Sequence, residues 1–135
     1  MVTSGVGIDL VDLKRLNRVW QRWGSHFEGR ILTTEECRGR HRNTRAYLAF
    51  LGGRFAAKEA VFKALERRFS WWDIVIHSTP AGAPRVTLRG SAKTAARRAG
   101  ITAILVSISH TRSHAVAQAT ALRDHKVSDC SEFAT

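Results

Sequence analysis

The chain has 135 residues, with 22 Lys and Arg against 11 Asp and Glu, for a net charge of +11. That length fits one domain able to bury its own core, and 44% hydrophobic with 24% charged residues excludes wholesale disorder. Cys37 and Cys130 are too few for a disulfide framework, no apolar run approaches the ~18 residues of a membrane span, and the N-terminus has neither a basic nor an apolar signal region, so a cytoplasmic protein without membrane contact is expected.

In chain order, Val6-Gly7-Ile8-Asp9-Leu10-Val11 alternates and predicts a short strand. Asp12 can cap a helix with Leu13, Leu16, Val19, Trp20 and Trp23 on its apolar face, and Gly24 ends it. The opposite face carries Lys14, Arg15, Arg18 and Arg22. Thr33 and Glu36 stand in the capping-box relation, before a helix kept short by Gly39. Thr44 to Arg68 is the longest helical pattern. Gly52-Gly53 inside it costs about 1 kcal/mol per glycine against alanine, which close packing against another backbone would explain. Ile74–Ile76 and Arg85–Leu88 predict strands around a Pro80–Pro84 turn, Ser91–Gly100 a basic helix with a serine N-cap, and Ile104–Ser109 with Ala115–Leu122 two further strands. These lengths predict an α+β fold: a small single domain, residues 1–123, with one long buried helix on a mainly antiparallel sheet. Residues 124–135 form a polar tail without apolar periodicity, expected to be disordered.

The acids are few enough to be informative. None occurs from Ile74 through Arg123, nor between Cys37 and Lys58, so both stretches suit polyanions. Two acids sit in apolar settings: Asp9 between Ile8 and Leu10, and Glu59 in the middle of the long helical pattern. Burial there is costly unless the group is paired or binds a metal. Glu59 and Lys63 share a helix face at i,i+4, which read alone is a surface salt bridge. Ser109-His110 ends a strand, but a Ser/His/Asp hydrolase reading is weak without a Gly-x-Ser-x-Gly elbow.

Taken together, Gly5-Val6-Gly7-Ile8-Asp9-Leu10-Val11, then Gly53-Arg54-Phe55-Ala56-Ala57-Lys58-Glu59-Ala60-Val61-Phe62-Lys63-Ala64, then Val106-Ser107-Ile108-Ser109-His110 resemble the holo-acyl-carrier-protein synthase family, the short, standalone 4'-phosphopantetheinyl transferases. The order and spacing match across residues 5 to 122. The resemblance implies transfer of the phosphopantetheine arm of coenzyme A to a serine of an acyl carrier protein, with adenosine 3',5'-bisphosphate released. It implies Mg2+ bound by Asp9 and Glu59, with Lys63 as a third catalytic residue. Mg2+ suits a few carboxylates plus substrate phosphates. Arg54, Lys58 and Lys63 would supply phosphate contacts, and Ser109 and His110 would meet the nucleotide end of coenzyme A. The serine proton would pass to Glu59 or to a water beside it, a choice the residues leave open. The basic first helix would dock the acidic carrier through Arg15, supported by Lys14, Arg18 and Arg22. Family members are usually homotrimers with sites at subunit interfaces.

Two departures from the family pattern matter, and in one the Gly-Lys-Pro hairpin appears as Gly82-Ala83-Pro84, without its basic side chain. The glycine loop that follows the Lys-x-Ala motif in the family is replaced by Glu66-Arg67-Arg68-Phe69, so either Arg67 and Arg68 take over phosphate contacts or this part of the pocket is rebuilt. Trp71 and Trp72 just beyond would either stack on adenine or pack internally. These changes suit a specialised carrier, for example of polyketide or other secondary metabolism. The alternative is a small basic nucleic-acid-binding protein without catalysis. No helix-turn-helix, zinc-finger or RNP-like signature supports it, and it leaves Asp9 and Glu59 without a role, so no nucleic-acid partner is expected. A silent relative that only binds carriers conflicts with the intact Asp9, Glu59 and Lys63.

Overall fold

The computed structural model describes residues 1–39 and 43–125. Most of the expected polar tail, residues 126–135, lies outside them. Alternating branched residues build β1 (Val2–Asp12), longer than the sequence predicts at both ends. Asp12 then caps α1 (Leu13–Trp23) as expected, its Oδ1 accepting from the Lys14 and Arg15 amides at 2.9 and 3.2 Å. Gly24, at φ +51°, ends the helix by returning its N–H to the Trp20 carbonyl. A short α2 (Ser25–Ile31), which the sequence does not predict, follows at once. It has no side-chain cap and carries Gly29, so tertiary contacts hold it: Ile31 is buried, and Glu28 accepts from the Trp20 indole. The Thr33/Glu36 capping box forms, with bonds of 2.8 and 3.4 Å, but opens a 3₁₀ turn (Glu36–Gly39).

The long helix α3 (Thr44–Ala64) is capped by Asn43 and stops four residues short of the expected Arg68. Its end is a Schellman motif: the Glu66 amide donates to the Lys63 carbonyl and the Arg67 amide to the Phe62 carbonyl, both at 3.1 Å. Glu66 fills the left-handed position at φ +58°, where glycine is usual, so no glycine marked the stop in the sequence.

Beyond the helix come β2 (Ile74–Ser78), β3 (Pro84–Leu88), α4 (Gly90–Arg98), β4 (Ile101–His110) and β5 (His114–Arg123). β2 and β3 form an antiparallel pair, and β1, β5 and β4 a three-stranded antiparallel sheet in that order. Ser91 is not the cap of α4: Arg89 holds the N-cap position without a side-chain bond, and Gly90 turns at φ +55° against Asp73.

One sheet face packs on α3. There β5 contributes Ala115, Ala117, Ala119 and Ala121, all nearly or fully buried, and β1 contributes Gly5 and Gly7. A Cβ at Gly5 would overlap the Ala64 carbonyl, and one at Gly7 the Ala60 carbonyl, so helix and strand backbones touch. The Gly52-Gly53 pair has a different reason from the expected one. A Cβ at Gly52 would strike Leu13 Cδ2, and one at Gly53 would stand 3.0 Å from Ile108 Cγ2, so side chains, not a backbone, fill the space. The other sheet face leaves Val6, Ile8, Leu10 and Leu105 exposed.

Candidate functional site

Strand alternation puts Asp9 on the helix side of β1, in line with Gly5 and Gly7 and paired in register with Ala117. Because glycine lets α3 rest directly on β1, helix residues one turn apart arrive beside that carboxylate. Lys63 donates to the Ile8 carbonyl at 2.8 Å and to Asp9 Oδ1 at 3.3 Å. Glu59 is not paired with Lys63 as helix spacing predicts. Arg68 takes it instead, Nη2 on Oε1 at 3.0 Å and Nη1 on Oε2 at 3.3 Å. The side chains of Asp9 and Glu59 are 17% and 14% exposed. Burial raises the Asp9 carboxyl above its ordinary range; Lys63 opposes the shift and the charge of Glu59 adds to it. Asp9 and Glu59 therefore lie near enough to feel each other as like charges, each met by a cation of the chain. Among the described residues, no group of three or more His, Cys, Asp or Glu side chains converges on a metal site. Two carboxylates fit a hard ion such as Mg2+ that completes its shell with substrate phosphate and water.

A cleft of about 650 Å³ opens on the other side of α3. Phe50, Arg54, His77, Ser78 and His110 are among the residues that line it. The Arg54 guanidinium donates to Ser78 Oγ at 2.8 Å and lies 4.7 Å above the Phe50 ring, while its buried Nε has no hydrogen-bond partner among the described residues. Burial lowers the Arg54 pKa and the nearby Glu36 carboxylate works against that. Ser78 escaped the sequence reading, since no spacing connects β2 to a residue 24 positions earlier, and His77 stood there only as one lone histidine among several. Ser109 and His110, as consecutive strand residues, face opposite sides of β4: His110 lines the cleft, and Ser109 is exposed on the other side.

Lys58 is the clearest correction. It has no exposed surface, and its ammonium donates to Glu36 Oε1 at 2.7 Å, the Trp71 carbonyl at 3.0 Å and the Ile31 carbonyl. All three protons are used inside the core, so Lys58 is not a phosphate ligand. Glu36, which the sequence marks only as a capping residue, also accepts from the Ile76 amide at 3.0 Å.

On α1, Arg15 borders a pocket of about 410 Å³ walled by Leu10, Leu16, Val19, Phe27 and Phe55. Lys14 faces a separate cleft with Arg45 and Arg112. Arg18 and Arg22 are exposed, Arg22 lying 5.2 Å above the Trp23 ring. Trp71 packs internally, stacked on Phe55 at 5.0 Å and edge-on to Phe62 at 5.2 Å. Trp72 is exposed, with its indole on the Gly29 carbonyl.

The fold thus brings together a carboxylate from β1 and one from α3, each met by a cation, and sets apart from them a cleft that carries Arg54, His77 and His110 beside Glu35 and Glu36. The chain belongs to the 4'-phosphopantetheinyl transferase superfamily, whose family model matches residues 5–119. It is 45% identical over 124 residues to the holo-[acyl-carrier-protein] synthase of Desulforudis audaxviator, covering 87% of this chain and 92% of that one. Among solved structures it resembles the holo-ACP synthase of Plasmodium yoelii (TM-score 0.82, 29% identity, 92% of this chain and 98% of that one). It also resembles the Helicobacter pylori holo-[acyl-carrier-protein] synthase in complex with coenzyme A (TM-score 0.73, 30% identity, 87% and 99%).

Proposed function

We propose that this chain is a Mg2+-dependent holo-acyl-carrier-protein synthase. It moves the 4'-phosphopantetheine group of coenzyme A onto a serine of an apo acyl carrier protein and releases adenosine 3',5'-bisphosphate. The observation that carries the reading is the convergence of Asp9, Glu59 and Lys63 from β1 and α3 in a chain of this superfamily. Asp9 and Glu59 would hold the metal, which supplies positive charge against the pyrophosphate as the phosphoryl group departs. The serine oxygen bonds to the phosphorus that carries the pantetheine arm. The bond from that phosphorus to the nucleotide side breaks, and its electron pair leaves with adenosine 3',5'-bisphosphate. The serine proton passes to Glu59 or to a water that Glu59 orients. Lys63, on the rim of the carboxylate pair, meets the phosphate oxygens. Arg54 and His110 bind phosphate at the nucleotide end, with His77 and Ser78 beside them.

The cleft and the carboxylate cluster share no lining residue within one chain. Val6, Ile8, Leu10 and Leu105, exposed by 64, 63, 65 and 56%, form an apolar face that an assembly would cover. Both features support a homotrimer whose sites join the nucleotide cleft of one copy to the carboxylates of the next, with Ser109 reaching coenzyme A only across that interface. A sedimentation mass of one chain would refute the trimer.

The acidic carrier docks on α1, Arg15 engaging its carboxylates while the adjacent pocket takes an apolar side chain; Lys14, Arg18 and Arg22 supply the surrounding field. Arg15→Glu should raise the KM for the carrier by roughly tenfold or more while the KM for coenzyme A stays within about twofold, and the reverse ranking would move the docking site elsewhere. Residues 1–123 make up the catalytic domain. Both substrates place the enzyme in the cytoplasm, and among the described residues no helix is long and apolar enough to cross a membrane. The deciding experiment is a mass shift: with Mg2+ and coenzyme A, the protein should add roughly 340 Da to an apo carrier, the mass of the transferred group. No gain on any apo carrier tried would end the enzyme reading.

A further inference from the structure

Each of the two carboxylates is already engaged by a cation of the chain itself. Lys63 lies on Asp9, and Arg68 grips both oxygens of Glu59 with a planar fork. Arg68 reaches back nine residues because the Schellman turn at Glu66 reverses the chain just after α3. Its guanidinium also lies 5.5 Å above the Phe62 ring and 5.9 Å from the Trp71 ring, both of which are packed in place. Otherwise the side chain is open, 68% exposed, so little besides these contacts restrains it.

Two consequences follow from charge and geometry. The four groups Asp9, Glu59, Lys63 and Arg68 sum to neutrality, so the cluster alone has little attraction for a phosphate. A divalent ion that takes a Glu59 lone pair now facing Arg68 displaces the fork from that oxygen, and with the ion bound the cluster is doubly positive. The displaced guanidinium keeps its footing on Phe62 and Trp71, with a fork shaped to hold two phosphate oxygens.

We propose that Arg68 is an exchanging counter-ion: it pairs with Glu59 while the site is unloaded and transfers to the pyrophosphate of coenzyme A when a divalent ion takes Glu59. Arg68 therefore opposes the metal alone and favours the metal with coenzyme A. The inference rests on the reading of Asp9 and Glu59 as the metal site.

The two halves of the exchange have opposite signs, which makes them separable. The full-length protein is titrated with Mn2+ without coenzyme A, free Mn2+ being followed by electron paramagnetic resonance. Arg68→Gln should tighten Mn2+ binding by roughly two- to fivefold, the scale of an exposed ion pair. The same variant should raise the KM for coenzyme A by roughly tenfold or more, the scale of a lost charge-assisted hydrogen bond. Arg68→Lys, which keeps the charge but loses the fork, should fall between Gln and wild type in both readouts. A merely structural surface pair would leave Mn2+ affinity and the KM for coenzyme A within about twofold, and that result overturns the proposal while wild-type transfer stands. Weaker Mn2+ binding in Arg68→Gln also overturns it. If the wild-type protein bound no Mn2+, the metal reading would fail and the exchange with it.

Discussion

Lys58→Ala should destabilise the protein by about 3–5 kcal/mol, read as a fall in the midpoint of chemical denaturation. The side chains of Lys58 and Glu36 are 0 and 1% exposed, and their ion pair spans 2.7 Å. Removing the lysine strands the Glu36 carboxylate in the core, facing the Thr33 and Ile76 amides with its main counter-charge gone. It also leaves the Ile31 and Trp71 carbonyls without their shared donor. Three separate segments lose their common tie to α3: the end of α2 at Ile31, the 3₁₀ turn at Glu36, and the turn before β2 at Trp71. Against a typical total stability of about 5–15 kcal/mol, the loss is large enough to unfold a substantial fraction of the protein. The pair also has a test of its own sign. Lys58→Met combined with Glu36→Gln removes both charges while keeping volume, and a buried pair exchanged in this way is often nearly neutral. The double variant should recover most of the lost stability; a double variant as unstable as Lys58→Ala would mean that the charges are not what the core depends on.

The second large effect lies one residue further along the helix and has the opposite character. Glu59→Gln should lower the transfer rate by on the order of a thousandfold, the cost of several kcal/mol of lost charge stabilisation at the reacting phosphate. Stability should barely change, because Glu59 loses only an ion pair to an exposed arginine, and such pairs contribute about 1 kcal/mol or less. Equal thermal midpoints with abolished transfer would separate a chemical role from a structural one. Transfer at the wild-type rate would refute the metal role of Glu59.

Neighbouring residues with such different fates explain what the sequence reveals and what it hides. Lys58 and Glu59 are adjacent in the chain but about 100° apart around the helix, so one enters the core and the other the site. Spacing alone reads Glu59 as half of a surface salt bridge, and it is the family resemblance that assigns both residues to the phosphate site. The elements governed by local rules were legible: the Asp12 cap, the Gly24 stop, the β2–β3 hairpin and the alternation of β1, β4 and β5. Glu36 was legible only as far as local rules reach, namely its bond with Thr33; its ties to Lys58 and Ile76 cross 22 and 40 residues. Lys63 obeyed the same limit, since helix spacing offers it Glu59 whereas the fold offers it Asp9 from 54 residues away. The end of α3 was hidden because Glu66 occupies a glycine's conformation. The carboxylate pair itself was legible because acids amid apolar neighbours require an explanation whatever the fold.

The bare contact between Gly5 and Gly7 of β1 and the Ala60–Ala64 stretch of α3 has a thermal consequence. Most active sites span a layer of side chains whose packing loosens as temperature rises, so the gap between their halves drifts. Here β1 and α3 meet backbone to backbone at Gly5–Ala64 and Gly7–Ala60, so the separation of the strand that carries Asp9 from the helix that carries Glu59 is set there by van der Waals contact. Warming should leave that gap nearly constant until the helix lifts from the strand as a unit. Activity would then be lost abruptly, at the unfolding transition, with little gradual decline before it.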